Sequence, residues 1–443
     1  MNHPCHIRSV CATAIVLAGC GGDQAADRHE PLVDTLRSGT VVVQNSPQGL
    51  WDLDPGARWT VVESVRIGST DGGGPDVFGS VPTLIVDDLD RMWVVDAMAN
   101  ELRVFDADGR FVRTIGQTGE GPSEFTRIGP VFHGPDATIW VEDLSLVRWE
   151  VFDTAGIRVE GHPSPTNLRG GLRHWTRDGL FLVLAPHPES PPQVGLVAYL
   201  RTQEGTLERE GRVFELPPEP RPVGLVTVKS DRISTQVPAP YTPKSFGVFG
   251  AGLDYWFSDG RARRGNYEIR QISVDDGATR LTIRRRFTPT EIPDSIRTWA
   301  IDSLRQEFRE HDMPTEALTL RVVPREYPPF SDFFLSADGT LWVRRVFADG
   351  LVGFDVFAAD GCLLGRPNMR AELAGMRIVS ITATSIYGID TDELGVNQVV
   401  RLEIQHSPSV APRPSESEGS GEGMGAGPPP HGGADPRADG ARS

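Results

Sequence analysis

The alternation of hydrophobic and polar positions is clearest between residues 81 and 119. Leu84-Ile85-Val86, Met92-Trp93-Val94-Val95, Leu102-Arg103-Val104-Phe105 and Phe111-Val112-Arg113-Thr114-Ile115 are four short runs rich in β-branched and aromatic residues, separated by Asp, Asn and Gly. Between the last two, Asp106-Ala107-Asp108-Gly109 supplies residues that accept positive φ in a hairpin. The pattern predicts one antiparallel four-stranded sheet.

The same phrase returns along the chain. Phe152-Asp153-Thr154-Ala155-Gly156 matches Phe105-Asp106-Ala107-Asp108-Gly109, about 47 residues on, and Phe357-Ala358-Ala359-Asp360-Gly361 repeats it again. Thr138-Ile139-Trp140-Val141 and Thr340-Leu341-Trp342-Val343 echo Met92-Trp93-Val94. In the third repeat only Trp175 and the run from Leu180 to Leu184 keep the strand rhythm. A sheet of this size cannot bury both faces without neighbours, so the repeat predicts a β-propeller.

Sheets are expected at 81–119, 128–162, 168–215, 243–287, 327–367 and 374–405. With 216–242 (Pro-rich) and 288–326 set aside as insertions, the span 59–407 leaves about 47 residues per blade for six blades, in agreement with the repeat offset. Ile67-Gly68-Ser69-Thr70 and the Gly-Pro phrase after it resemble Ile115-Gly116-Gln117-Thr118 and its sequel, which follows an outer strand. The segment 59–68 is therefore also expected to be an outer strand. No complete blade precedes it, so it must join the last one, closing the ring and removing two exposed sheet edges.

Within 293–311 the rhythm changes. Ile292, Ile296, Trp299, Leu304 and Phe308 fall on one face at helical spacing, with Asp294, Arg297, Asp302, Arg305 and Arg309 mostly elsewhere, and Pro293 suits a helix start. One inserted helix is predicted, packed on the ring through that apolar stripe; a lid over the channel or a partner-docking helix is the alternative.

The ends of the chain set the cellular address. Residues 1–19 read as an export signal, with Arg8 as the only formal charge and an apolar run from Val10 to Ala18 too short to span a bilayer. The signal ends in Leu17-Ala18-Gly19-Cys20, which resembles the bacterial lipobox, and this implies lipid attachment at Cys20 and anchoring in the cell envelope, on the outer membrane or the periplasmic face. Residues 20–58 are expected to be a tether. Residues 408–443 combine 7 Pro and 8 Gly with almost no large apolar side chains and are expected to remain a disordered tail, because they cannot bury enough surface to offset ordering entropy. Once Cys5 and Cys11 leave with the signal, Cys362 has no disulfide partner and stability must come from packing. The net charge of −16 and the absence of a Lys/Arg run argue against nucleic acid as a partner.

The string Asp96, Asn100, Arg103, Val104, Phe105, Asp106, Gly109, Ile115-Gly116, Gly119-Glu120-Gly121-Pro122 and Phe125 resembles an NHL repeat, and the whole chain resembles bacterial six-bladed propeller lipoproteins related to that family. The resemblance implies an all-β, six-bladed propeller of four-stranded antiparallel blades. It further implies a binding or interaction module for a protein, peptide or glycan. Some six-bladed relatives are instead metal-dependent lactonases, hydrolases or lyases working at the central channel.

For chemistry, the polar residues near expected inner strands are Asp87, Asp88, His133, Arg169 and His174. Each has a structural reading beside the functional one: His133 and His174 at strand ends, Asp87 and Asp88 in a solvated hairpin turn. Asp96 and Asn100 match residue types that lactonases place on calcium, but they bracket a tight turn whose exposed amides their side-chain oxygens can satisfy. Gly116, Gly119 and Gly121 follow a strand without opening a helix, so a phosphate-cradling loop fails on context. No catalytic residue, metal ligand or cofactor is assigned, because there is no His-x-x-x-His, Cys pair, EF-hand spacing or Gly-x-Ser-x-Gly elbow.

Overall fold

The computed structural model describes residues 31–70, 72–164, 173–176, 179–186, 194–202, 207–216, 224–229, 234–250 and 252–406. The expected signal, Cys20, Arg169 and the tail from 408 lie outside the described residues. The chain forms a six-bladed β-propeller of four-stranded antiparallel sheets. The first blade runs through Leu84–Val86, Met92–Asp96, Glu101–Phe105 and Phe111–Ile115, and the second through Ile128–His133, Ile139–Asp143, Arg148–Phe152 and Arg158–Pro163. Blade three spans Arg173–Trp175 to Leu207–Phe214, blade four Phe246–Phe249 to Thr279–Arg286, and blade five Asp332–Leu335 to Leu363–Gly365. Blade six takes Arg377–Ile381, Ser385–Thr391 and Asn397–Gln405 from the end of the chain and Thr60–Ile67 from its beginning. The closing register is antiparallel, from Val399 opposite Ile67 to Gln405 opposite Thr60.

Side chains of a strand point alternately to opposite faces, and here both faces are covered. Met92 and Val94 pack toward blade six with Tyr387, Ile389 and Val399, while Trp93 and Val95 pack toward blade two with Ile139, Val141 and Phe152. That is why the inner strands are continuously apolar instead of alternating. Comparable clusters fill the other four junctions between blades. Full burial of one such side chain contributes about 1.5–3 kcal/mol.

The junction of blades four and five also carries buried charge. Asp355 accepts from the Tyr267 hydroxyl at 2.9 Å and from Arg345 at 3.2 Å, with Arg285 at 3.6 Å. All four are buried. Burial and then the Asp355 carboxylate hold the Tyr267 hydroxyl well above its ordinary pKa. Arg285 also donates to the carbonyls of Ser46 and Pro47, at 3.1 and 2.9 Å, and so ties the N-terminal segment to this junction.

That segment corrects, for the described residues from 31 on, the expectation of a tether over 20–58. Val41–Asn45 pairs in parallel with Thr279–Arg286, the outer strand of blade four, and Leu32–Thr35 adds a further strand, so this sheet has six. Asn45 then reaches blade five, donating to the Gly361 carbonyl at 2.9 Å and accepting from the Leu363 amide at 2.8 Å. Gly49 lies against blade five so closely that a Cβ there would stand 2.6 Å from the Leu364 oxygen. Helix α1 (Leu50–Leu53) delivers Trp51 into the core between blades five and six, 5.2 Å from Trp59. Residues 41–67 thus form a strap over three consecutive blades.

The two insertions belong together. The hairpin of Leu225–Lys229 and Ser234–Pro238 packs Val226 and Val228 with Ile301 and Phe308 of helix α2 (Asp294–Glu310) and with Leu318 and Val323 beyond it. Helix α2 exists as predicted, but its buried side differs from the expected stripe. Arg297, Ala300, Ile301 and Phe308 face inward, while Ile296 and Trp299 are 37% and 65% exposed. The cause is Arg297, whose guanidinium donates to the carbonyls of Leu320, Val323 and Pro324 at 2.9–3.1 Å and pairs with Asp294 at 2.7 Å. An arginine with its donors satisfied can be buried, and this turns Trp299 to solvent. A short helix α3 (Ala371–Gly375) contributes Leu373 to the core between blades five and six.

If the strap is docked as described, Trp51→Ala lowers the unfolding free energy by about 3–5 kcal/mol, the cost of emptying a buried tryptophan site. Chemical denaturation measures it, and an unchanged midpoint would show that the strap does not contribute to the folded core.

Candidate functional site

An antiparallel meander sorts its connections by topology. Turns between the first and second and between the third and fourth strands of a blade emerge on one face of the ring, and turns between the second and third strands, with all blade-to-blade connections, emerge on the other. The first face is built of tight turns closed by aspartates. Asp87 accepts from the amides of Leu89 and Arg91, both at 3.0 Å, and Asp106 from those of Asp108 and Arg110, at 3.0 and 2.8 Å. Asp153, Asp276, Asp338 and Asp360 make equivalent bonds to Ile157, Ala278, Thr340 and Cys362. Aspartates cap the second-to-third-strand turns of the other face too, at the amides of Met98, Ser145, Leu351 and Leu394.

The opposite face holds every long connection. The paired insertions of the hairpin and α2 rise from it, as do both Gly-Pro phrases. Large apolar side chains are exposed at the tips of its second-to-third-strand turns in three consecutive blades: Leu394 at 79%, Met98 at 74%, and Leu144 and Val147 at about 40%. Leu351 takes a similar place in blade five. Repetition of an exposed apolar residue at one topological position marks a surface set apart from scattered exposed leucines.

The residues singled out in the sequence fall mostly into structural roles. Asp87 is buried and, besides its amides, receives Arg91 Nε and Trp93 Nε1, each at 2.8 Å. Burial opposes its ionisation, but the bonds from Arg91 and Trp93 outweigh it and hold the carboxyl below its ordinary range. Asp88 is exposed in the same turn. His133 ends the inner strand of blade two beside that turn; burial pushes its imidazole down while the Asp88 and Asp87 charges oppose the shift. The residue keeps contact with solvent, so the protein packed around it, and not full enclosure, causes the shift. His174 stacks on Phe249 at 4.5 Å and its Nε2 lies 2.9 Å from the Gly252 oxygen, so it joins blades three and four. Burial lowers its pKa too, against the effect of that hydrogen bond.

Asp96 and Asn100 are parts of a clasp. Asp96, buried, accepts from the amides of Gly79 and Ser80 at 3.0 and 3.2 Å and pairs with Arg103 at 3.1 Å, and Asn100 accepts from the Ile128 amide at 3.1 Å while adopting φ +56°. Asp143 repeats the role of Asp96 one blade on, binding the Thr126 and Arg127 amides. The loop of Gly116, Gly119 and Gly121 turns carbonyls, not amides, to its strongest partner: Arg148 donates to the oxygens of Glu120, Gly121 and Glu124 at 2.7–2.9 Å. Arg103 holds the oxygens of Pro75 and Val77 in the earlier copy. A loop arranged in this way has no cradle of N–H groups for a phosphate. Cys362 is buried.

Among the described residues no three His, Cys, Asp or Glu side chains gather in a way that could hold a metal ion, and no helix is long and apolar enough to cross a membrane. Sequence reasoning missed the apolar loop tips and the exposed Trp299. The tip at Met98 could have been found from the sequence, as an apolar residue standing in the otherwise small and polar turn Ala97-Met98-Ala99-Asn100.

A family model described as a 6-bladed beta-propeller, DUF5128, matches residues 77–132. Among solved structures, the chain is similar to a candidate exported protein of Bacteroides fragilis (12% identity, 78% of this chain and 95% of that one, TM-score 0.44). It is also similar to virginiamycin B lyase of Staphylococcus aureus (12%, 78% and 99%, TM-score 0.39) and to a gluconolactonase of Xanthomonas campestris (13%, 81% and 95%, TM-score 0.34). Among curated proteins none matches.

The turn network makes a prediction for pH. The folded pKa of Asp87 lies below its unfolded value of about 3.9, so the unfolded chain binds the proton more readily and stability falls as pH is lowered. The contribution is fully present above that unfolded value and is lost as pH drops through the folded one. Asp87→Asn is expected to lower stability at pH 7 by about 1–3 kcal/mol, by disturbing the bonds to Arg91 and Trp93, and to have a smaller effect near pH 3. Denaturation at the two pH values measures this, and an equal loss at both would remove the charge from the explanation.

Proposed function

We propose that the protein is an exported, lipid-anchored binding module of the cell envelope, which engages a protein, peptide or glycan with the face that carries the long connections. The observation that carries this reading is the division of labour between the two faces. Both carry aspartate-capped turns, but one of them also bears both insertions, with Trp299, and the repeated exposed apolar tips. The ring itself does not need the insertions, because its six junctions are each filled by residues of adjacent blades and the strap. Residues 1–20 supply the support for export, with Cys20 as the acylated residue holding the ring at a membrane surface.

Two experiments test the reading. Mature protein screened on peptide and glycan arrays is expected to select ligands whose binding weakens at least about tenfold in the double variant Met98→Lys/Leu394→Lys, as for a charge placed in an apolar contact, and is unchanged in Leu89→Lys. Leu89 is 65% exposed on the tight-turn face and serves as the control. Loss in the control alone, or in neither, assigns the activity elsewhere. Separately, Cys20→Ser is expected to abolish metabolic labelling by palmitate and move the protein from the membrane to the soluble fraction. Retention of label would exclude Cys20 as the lipid site.

A further inference from the structure

Of nine tryptophans in the chain, eight are buried or half-buried and Trp299 is 65% exposed. It stands at the middle of the solvent side of α2, in a shallow groove lined by Asp294, Ser295, Asp302, Ser303, Gln306 and Arg309. With Arg297, Ala300, Ile301 and Phe308 filling the inward side of the helix, the indole takes no part in the core and both its faces are open to a ligand. Its surroundings are polar, with two carboxylates compensated inside the helix and one exposed guanidinium, Arg309, that has no ion pair among the described residues. Asp294 is paired with Arg297 at 2.7 Å and Asp302 with Arg305 at 2.9 Å, so the carboxylates keep free lone pairs while their charge is compensated within the helix. The hydroxyls of Ser295 and Ser303 make no hydrogen bond to the described residues. The groove therefore offers one flat apolar surface, several short donors and acceptors, and one exposed guanidinium whose charge water and salt screen.

We propose that this groove binds a neutral glycan, with the C–H face of one pyranose ring stacked on Trp299 and its hydroxyls bonded to Asp302, Ser303, Ser295 and Gln306. A sugar ring combines an apolar face with a rim of hydroxyls that both donate and accept, which is the complement of this arrangement. A macromolecular partner fits less well, since a stable protein interface needs about 800 Å² on each side and the groove consists of one indole with its polar neighbours along a single helix. The proposal rests on the binding-module reading and names the ligand class for one part of that face.

Because Trp299 is the exposed tryptophan, its fluorescence reports occupancy. Full-length mature protein is titrated with neutral hexasaccharides of glucose, mannose and N-acetylglucosamine, with dextran sulfate as the charged comparison. The expected result is a saturable blue shift with at least one neutral hexasaccharide below about 10 mM, a range suited to a one-platform site, and none with dextran sulfate. Calorimetry is expected to show about 30-fold weaker binding in Trp299→Ala, as for removal of a central aromatic contact. Trp299→Phe is expected to keep binding within several-fold while losing the spectral shift. Trp299 is exposed and both variants are expected to retain the wild-type unfolding midpoint. No saturable change with any neutral member, or binding that Trp299→Ala leaves intact, overturns the proposal. The wider reading fails separately, through the Met98 and Leu394 variants, which do not touch α2.

Discussion

Everything in this molecule depends on the fact that a four-stranded sheet with two apolar faces has no stable existence alone. Met92 and Val94 need one neighbour, and Trp93 and Val95 need another. Repetition meets both needs around a ring, but leaves the first and last sheets with bare faces and open edges unless the ring closes. Pairing of Thr60–Ile67 with Asn397–Gln405 supplies that closure by joining segments more than 330 residues apart in sequence. The strap extends the same solution outward, since the strand Val41–Asn45, the side chain of Asn45 and Trp51 tie the start of the chain to blades four, five and six.

Closure frees one face from structural duty. On the tight-turn face the chain between consecutive strands is short and its polar atoms are internally satisfied. At the other end, connections are held at their roots by a few charged residues acting on backbone: Asp96 and Asp143 on amides, Arg103 and Arg148 on carbonyls. A connection fixed at its base can be long without loosening the sheet. Both insertions occur at such places, and by packing on each other they have a core that makes no demand on the ring.

Much of this was legible in the sequence because it is local. Tight turns need Asp and Gly at fixed places, so Asp106-Ala107-Asp108-Gly109 and its copies announce the hairpins, and the spacing of those copies gives the blade. The closing strand was legible by elimination, through its likeness to the end of blade one. The strap was not: Val41-Val42-Val43 is too short to stand out, and its partner strand is a parallel one about 240 residues away. The orientation of α2 was hidden for another reason. Hydrophobic periodicity assumes that charge points outward, and Arg297 breaks the assumption because loop carbonyls accept its donors. The Asp355 cluster escaped in the same way, with Arg285 lying inside the run Arg284-Arg285-Arg286, where composition alone suggests a solvated strand. For the candidate residues, sequence gave Asp96 and Asn100 turn-closing roles; Asp96 accepts from amides of its own turn, whereas the Asn100 oxygen serves the Ile128 amide of the next blade. It had no means of seeing which exposed apolar residues share a face, since that follows from the topology of the whole ring.

The most direct test of the account is hydrogen exchange of the backbone amides in residues 60–67, followed by mass spectrometry on the native protein. If this strand is the outer member of the last blade, its inward-bonded amides exchange as slowly as those of Asn397–Gln405 and open with them in one cooperative unit. Fast exchange at residues 60–67 beside a protected 397–405 would mean that the ring is not closed by the start of the chain, and the separation of the two faces would lose its foundation.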